Sequence, residues 1–146
     1  MKKLLAIFCV LAVFASTAVA APKKSKVKGS KIGVSMPTKD LQRWNQDGAN
    51  MKAQLEAAGY KVDLQYAAND IPTQVSQIEN MITGKCKVLV IAAIDGSALK
   101  NPLEQAKKKG IKVIAYDRLI MNTDAVSYYA TFDNYKVGDR KSTRLN

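Results

Sequence analysis

Histidine is absent from the 146 residues, so neither the imidazole base of the common hydrolase triads nor a histidine-bound zinc centre can be built. Cysteine occurs twice, too seldom for a disulfide-stapled miniprotein. Long apolar runs are scarce as well: a single one, Leu4 to Phe14, excludes a polytopic membrane protein. Acidic residues number 12 against 23 basic ones, a formal net charge of +11. That surplus does not read as a nucleic-acid surface. The lysines are dispersed, most at helix ends or on polar helix faces, Lys107 to Lys109 suit a helix C-terminus, and no aromatic RNA-binding motif accompanies them. With 47% apolar residues the chain has the composition of a globular domain. Its length allows one such domain beyond a leader of about 20 residues.

The leader comes first. Lys2-Lys3, the apolar stretch Leu4 to Phe14 and the small residues Ala18-x-Ala20 form the three parts of a secretory signal peptide, with cleavage expected after Ala20. Eleven apolar residues at about 1.5 Å rise reach only about half of a ~30 Å hydrocarbon core, so the segment is too short for an anchor. Bulky Phe8 before Cys9 argues against a lipoprotein. Cleavage removes Cys9 and leaves Cys86 without a disulfide partner in the chain. With no histidine to activate it, this thiol reads as a packing residue. Residues 21–30 carry four lysines among small residues and are expected to be a mobile mature N-terminus.

From residue 31 the hydrophobic period alternates between two and 3.6. Ile32, Val34 and Met36 predict a strand; Trp44, Gly48, Met51, Leu55 and Ala58 predict one face of a helix that Gly59 stops; Val62, Leu64 and Tyr66 predict a second strand. Asp70 or Ile71 near the cap and Pro72 in the first turn open a helix with the face Ile71, Val75, Ile78 and Ile82, closed at Gly84. Val88 to Ile94 is uninterruptedly apolar, the pattern of a strand buried on both faces. A helix over Pro102 to Lys109 is expected, capped by Asn101 with Glu104 completing a capping box. Ile111 to Tyr116 and Tyr128 to Phe132 predict the fourth and fifth strands. Strands starting near 32, 62, 88 and 111 with helices between them give an α/β fold, a parallel sheet with helices on both faces.

Ligands of such sheets bind at the carboxyl ends of the strands, where strand order reverses. The first loop has no G-x-G-x-x-G or G-x-x-x-x-G-K, so no nucleotide cofactor is expected. It offers Lys39, Asp40, Arg43 and Trp44, and the fourth strand delivers Asp117-Arg118. A carboxylate beside a guanidinium fork can hold sugar hydroxyls while an aromatic face covers the C–H side of the ring. The same residues are also compatible with a structural ion pair and a core tryptophan.

The stretches KIGVSMPTKDLQRW (31–44), DLQYAANDIPTQVSQIENMI (63–82), KVLVIAAIDG (87–96), GIKVIAYDRLI (110–120) and SYYATFDNYKVG (127–138) resemble periplasmic sugar-binding proteins of the xylose, ribose and galactose type. The resemblance implies the amino-terminal lobe of a two-lobed type I periplasmic binding fold, spanning residues 31–138. The ligand it implies is a monosaccharide. It further implies delivery to an importer permease of the ATP-binding-cassette class, sometimes signalling to a membrane sensor or chemoreceptor, and no enzymatic activity, cofactor, metal or nucleic-acid partner. It places Asp117 and Arg118 on sugar hydroxyls and Arg43 at the sugar, with Trp44, Lys39, Asp95 and Asn134 on the same edge. Two other readings of the fold, a sugar-sensing repressor core and an enzyme on a flavodoxin-like sheet, lack respectively a helix-turn-helix and a nucleophile–base pair. Residues 139–146 show no apolar periodicity and are read as a non-native tail on a truncated lobe.

Overall fold

Strand and helix alternate from Lys31 onward in the computed structural model, which describes residues 29–133. The leader with its cleavage site and Cys9, most of the lysine-rich stretch after it, Asn134 and the tail lie outside the described residues. The order is β1 (Lys31–Met36), α1 (Gln42–Ala57), β2 (Lys61–Tyr66), α2 (Ile71–Thr83), β3 (Val88–Ile91), α3 (Lys100–Lys108), β4 (Lys112–Tyr116) and β5 (Val126–Ala130). All neighbouring strands are parallel, in the order β2-β1-β3-β4-β5. Strand order therefore reverses between β1 and β3, and their carboxyl ends flank the crevice where ligands of doubly wound sheets bind.

Two apolar layers cover the sheet. Trp44, with half-buried Met51 and Leu55, brings α1 onto Ile32, Val34, Met36, Val90 and Ala92. On the other face Ile78, Met81 and Ile82 of α2 and Leu103 and Ala106 of α3 meet Leu89, Ile91, Val113 and Ala115. Successive residues of β3 point to opposite faces, which explains its unbroken apolar run. Gly33 of β1 sits under α2, where a Cβ would come within 2.6 Å of Met81 Sδ and 2.8 Å of Leu89 Cδ2. Cys86 is 1% exposed, and burial pushes its thiol up from the ordinary value. Among the described residues no helix is long and apolar enough to cross a membrane.

Local signals decide most boundaries. Asp70 accepts from Thr73 N–H at 2.8 Å and Pro72 sits in the first turn of α2. Three expectations need correction. The helix α3 begins at Lys100 with Leu99 at its cap and no side-chain cap bond, so Asn101 and Glu104 form no capping box. Pro102 is accommodated because N–H groups of a helix's first turn have no intrahelical partner to lose. The strand β3 ends at Ile91, three residues short of the apolar run, because Ala92 O, Ala93 O and the N–H and C=O of Ile94 bond to side chains rather than to β1. The last strand lies two residues earlier than expected, at Val126–Ala130, and Phe132 falls beyond it.

Candidate functional site

The chain leaves β4 through a three-residue turn. Arg118 N–H donates to Tyr116 O at 2.6 Å, and Asp117 between them has φ 62°, a left-handed conformation that aspartate tolerates better than most residues. Neighbouring β5 secures it: Asp117 N–H donates to Ala130 O at 2.7 Å, and Asp117 O accepts from Tyr129 Oη at 3.1 Å and Thr131 Oγ1 at 3.3 Å. Backbone held in this sparsely populated region by its surroundings is common where a side chain must be aimed.

The aimed side chain meets α1. Arg43 Nη2 donates to Asp117 Oδ1, and Arg43 Nε lies 3.6 Å from Asp47 one turn along the helix. The hydrogen bond to Asp117 holds the Arg43 guanidinium above its already high ordinary value, against the opposing effect of desolvation. Asp47 also accepts from Tyr116 Oη at 3.1 Å, and burial together with this bond pushes the Tyr116 phenol up.

Aromatic faces complete the group. The Arg43 guanidinium carbon lies 4.7 Å from the Trp44 ring centroid and 5.0 Å from that of Phe132, and the Arg118 guanidinium carbon lies 5.4 Å above Trp44, within cation–π range. Trp44 is 3% exposed, so it is a core residue over which the two guanidiniums lie. Arg118 Nη1 donates to Ala93 O at 3.0 Å and Ile94 O at 3.4 Å, tying the end of β4 to the end of β3.

Of the residues singled out from sequence, Arg43, Trp44, Asp117 and Arg118 are thus brought together. Lys39 stands exposed in the β1–α1 loop. Asp95 is exposed and accepts from Ser97 N–H at 2.8 Å and Ser97 Oγ at 2.6 Å; these bonds lower its carboxyl from the ordinary value. Neither is placed in the arginine–aspartate group. Sequence reasoning missed Asp47, Tyr116, Phe132 and Gln74. Asp47 stood in plain view four residues from Arg43, the spacing of facing helix residues. Gln74 falls on the apolar face of α2, three residues after Ile71 and four before Ile78, a polar position on a buried stripe. Phe132 gave no signal, since its role depends on how far β5 runs. Among the described residues no group of three or more Cys, Asp or Glu is arranged to hold a metal ion.

Carboxylate acceptor, two guanidinium donors and the half-exposed Phe132 ring at one edge can bind a polyhydroxylated ring. The profile of the periplasmic binding protein domain matches residues 32–140. The multiple sugar-binding periplasmic receptor ChvE of Rhizobium radiobacter is 56% identical over 128 residues, 88% of this chain and 34% of that protein. The multiple sugar-binding periplasmic protein SbpA of Azospirillum brasilense is 60% identical over 107 residues, 73% of this chain and 30% of that protein. A solved ABC transporter solute binding protein from Clostridium phytofermentans with bound β-D-glucose is 70% identical, with a TM-score of 0.74, over 80% of this chain and 36% of that one. The chain thus spans about a third of the length of these relatives, and its sheet corresponds to one lobe of the type I fold.

Proposed function

Since the chain belongs to the periplasmic binding protein domain family, we propose that it holds a monosaccharide in the periplasm for an importer permease of the ATP-binding-cassette class. The observation that carries this reading is the side chain of Asp117, held by a left-handed turn at the carboxyl edge of the sheet after β4 and grouped with Arg43, Arg118, Trp44 and Phe132. In a free site Asp117 and Arg43 satisfy each other. A bound aldose would insert hydroxyls into this pair, accepting from the guanidinium and donating to the carboxylate, with its C–H face against an aromatic ring. Binding energy here opens no bond in the ligand; it favours a ligand-holding conformation that a membrane partner, permease or sensor, can distinguish from the empty one. Arrival in the periplasm would follow removal of residues 1–20. A periplasmic form starting at Ala21 supports this; a cytosolic form retaining Met1 rejects it.

The site is tested by NMR titration of the chain with D-glucose and D-xylose. Small-molecule sites normally bury about 70–90% of their ligand, and the residues of one lobe cover less. Affinity is therefore expected near millimolar, about −4 kcal/mol. Saturable shifts at the Trp44 indole and at Asp117 and Arg118 that vanish in Asp117→Ala support the reading. Resonances unmoved by either sugar at tens of times that concentration would sink it.

A further inference from the structure

Odd-numbered residues of β1 pair with β3 and even-numbered ones with β2. Lys87 N–H donates to Lys31 O at 2.8 Å and Ala92 N–H to Ser35 O at 2.9 Å, whereas Lys61 N–H goes to Ser30 O and Ala67 N–H to Met36 O, both at 3.0 Å. In a parallel ladder a residue donates to the carbonyl before its partner and accepts from the amide after it. The rung beyond Ser35 therefore falls to residue 37, which would have to serve Ala92 O and Ile94 N–H. Residue 37 is a buried proline. It has no N–H, and its carbonyl already accepts from Asn69 N–H at 2.7 Å.

Another element completes the rung. Gln74 of α2 is 1% exposed; its Nε2 donates to Ala92 O at 3.0 Å and its Oε1 accepts from Ile94 N–H at 2.9 Å. A carboxamide carries the same donor and acceptor as a peptide unit, so the side chain stands where backbone residue 37 would have stood. Its Nε2 also reaches Ser35 Oγ at 3.1 Å. The intervening segment is the one on which Arg118 rests, through Ala93 O and Ile94 O. Pro37 and Gln74 together let β1 and β3 stop pairing at Ser35 and Ile91, opening the crevice without leaving Ala92 O or Ile94 N–H unpaired.

We infer that Gln74 is a positioning residue of the ligand site, supplying the backbone rung that Pro37 cannot and so fixing the two carbonyls that orient Arg118. Its functional consequence rests on the sugar-binding reading; its geometry does not. Its bonded partners Ser35, Ala92 and Ile94 are uncharged. The ionisable groups at the ends of the surrounding elements, Asp70 and Asp95, are exposed and engaged with Thr73 and Ser97.

Gln74→Glu in the full chain tests this. A protonated carboxyl offers one donor and one acceptor and completes the rung, whereas a carboxylate offers acceptors only and confronts Ala92 O. Burial raises a carboxyl pKa, so the rung is intact at low pH and lost as pH rises through that raised value. From about pH 5 to about pH 8 the charged side chain is repelled from Ala92 O, and the variant is expected to lose protection at the Ile94 amide, measured against intrinsic exchange, together with the wild-type position of the Arg118 guanidinium signals. D-Glucose affinity should fall roughly tenfold over the same step, relative to a wild type that shows none. Gln74→Leu should show the deficit at every pH, and adding Pro37→Ala, which restores a donor opposite Ala92 O, should recover part of it. A residue that merely filled space would not be rescued this way. If the Leu variant does not fold, the Glu variant at low pH, with an unchanged carbon skeleton, still decides the question. Ile94 protection, corrected for intrinsic exchange, and Arg118 signals that follow the wild type at every pH in the Glu variant overturn the inference. If they follow pH while D-glucose moves no resonance in any form, Gln74 still positions Arg118 and the sugar reading fails instead.

Discussion

Asp117 supplies both a left-handed backbone and a negative charge, and substitution separates the two. Asparagine adopts positive φ readily and keeps the shape while removing the charge. Asp117→Asn is expected to change stability by less than about 1 kcal/mol, the range of a partly exposed ion pair, yet to weaken sugar binding about tenfold through loss of charge-assisted bonds. Asp117→Ala should cost about 1 kcal/mol more in stability, because alanine pays for the left-handed turn. Urea titrations read the stabilities and NMR titrations the binding. A second residue pair makes a pH prediction. Lys31 Nζ lies 2.7 Å from Asp63. Burial works against the Asp63 charge, but hydrogen bonds from Lys31 and Gln65 outweigh it and leave the carboxyl below its ordinary value; the bond to Asp63 raises Lys31. Asp63 therefore adds stability above its unfolded pKa that is lost as pH falls through the folded one. Lys31 adds stability below its unfolded pKa that is lost as pH rises through the folded one. With side chains 38% and 22% exposed, the pair should contribute less than about 1 kcal/mol. Asp63→Asn should flatten the acid limb of a melting-temperature profile by that amount.

At the scale of elements, α2 packs tightly on the sheet at Gly33. A methyl group there meets Met81 Sδ and Leu89 Cδ2 at under 3 Å, and although Met81 can shift, Leu89 belongs to the central strand. Gly33→Ala is expected to cost about 1–3 kcal/mol, as overpacking does, lowering the thermal midpoint without changing the fold by circular dichroism. The same helix bears Gln74, so displacing α2 should also speed exchange at Ile94. Its N-terminus responds to pH: hydrogen bonds from the Thr73 side chain and backbone hold Asp70 below the ordinary carboxylate value. Helix stability gained from this cap is present above the unfolded pKa and fades as pH falls through the folded one.

For the molecule as a whole, the two edges of the sheet differ. The outer strand β2 has half-buried residues from Val62 to Tyr66 and is covered by α1, whereas on β5 Tyr128 is 65% and Tyr129 48% exposed, with Phe132 at 49% just beyond. Among the described residues β5 is thus an edge strand with aromatic surface, the kind that pairs with a second copy or another chain. Tyr128→Lys is expected to lower self-association in sedimentation velocity at high protein concentration while leaving the melting temperature within a degree or two, about 0.5 kcal/mol. Unchanged association would show that this edge is already covered.

Element order, the parallel architecture and the arginine–aspartate edge were legible in the residues, because they follow from local periodicity and from which residues end each strand. Asp70 before Pro72, the unbroken run from Val88 and the Asp117-Arg118 dipeptide each carry their meaning within a few neighbours. What the chain order could not convey was which groups meet across it. Asn101 and Glu104 matched a capping box, but docking of Leu99 and Leu103 in the core started α3 earlier. Asp95 stood at the right edge, but Ser97 took its carboxylate. Phe132 reached Arg43 only because β5 ends at Ala130. Pro37 and Gln74, 37 residues apart, share one ladder rung solely because α2 crosses the gap between β1 and β3. Periodicity is a property of neighbours in sequence and specifies the elements; hydrogen bonds between partners far apart in sequence exist only once the sheet has brought them within 3 Å, and those bonds decided the site.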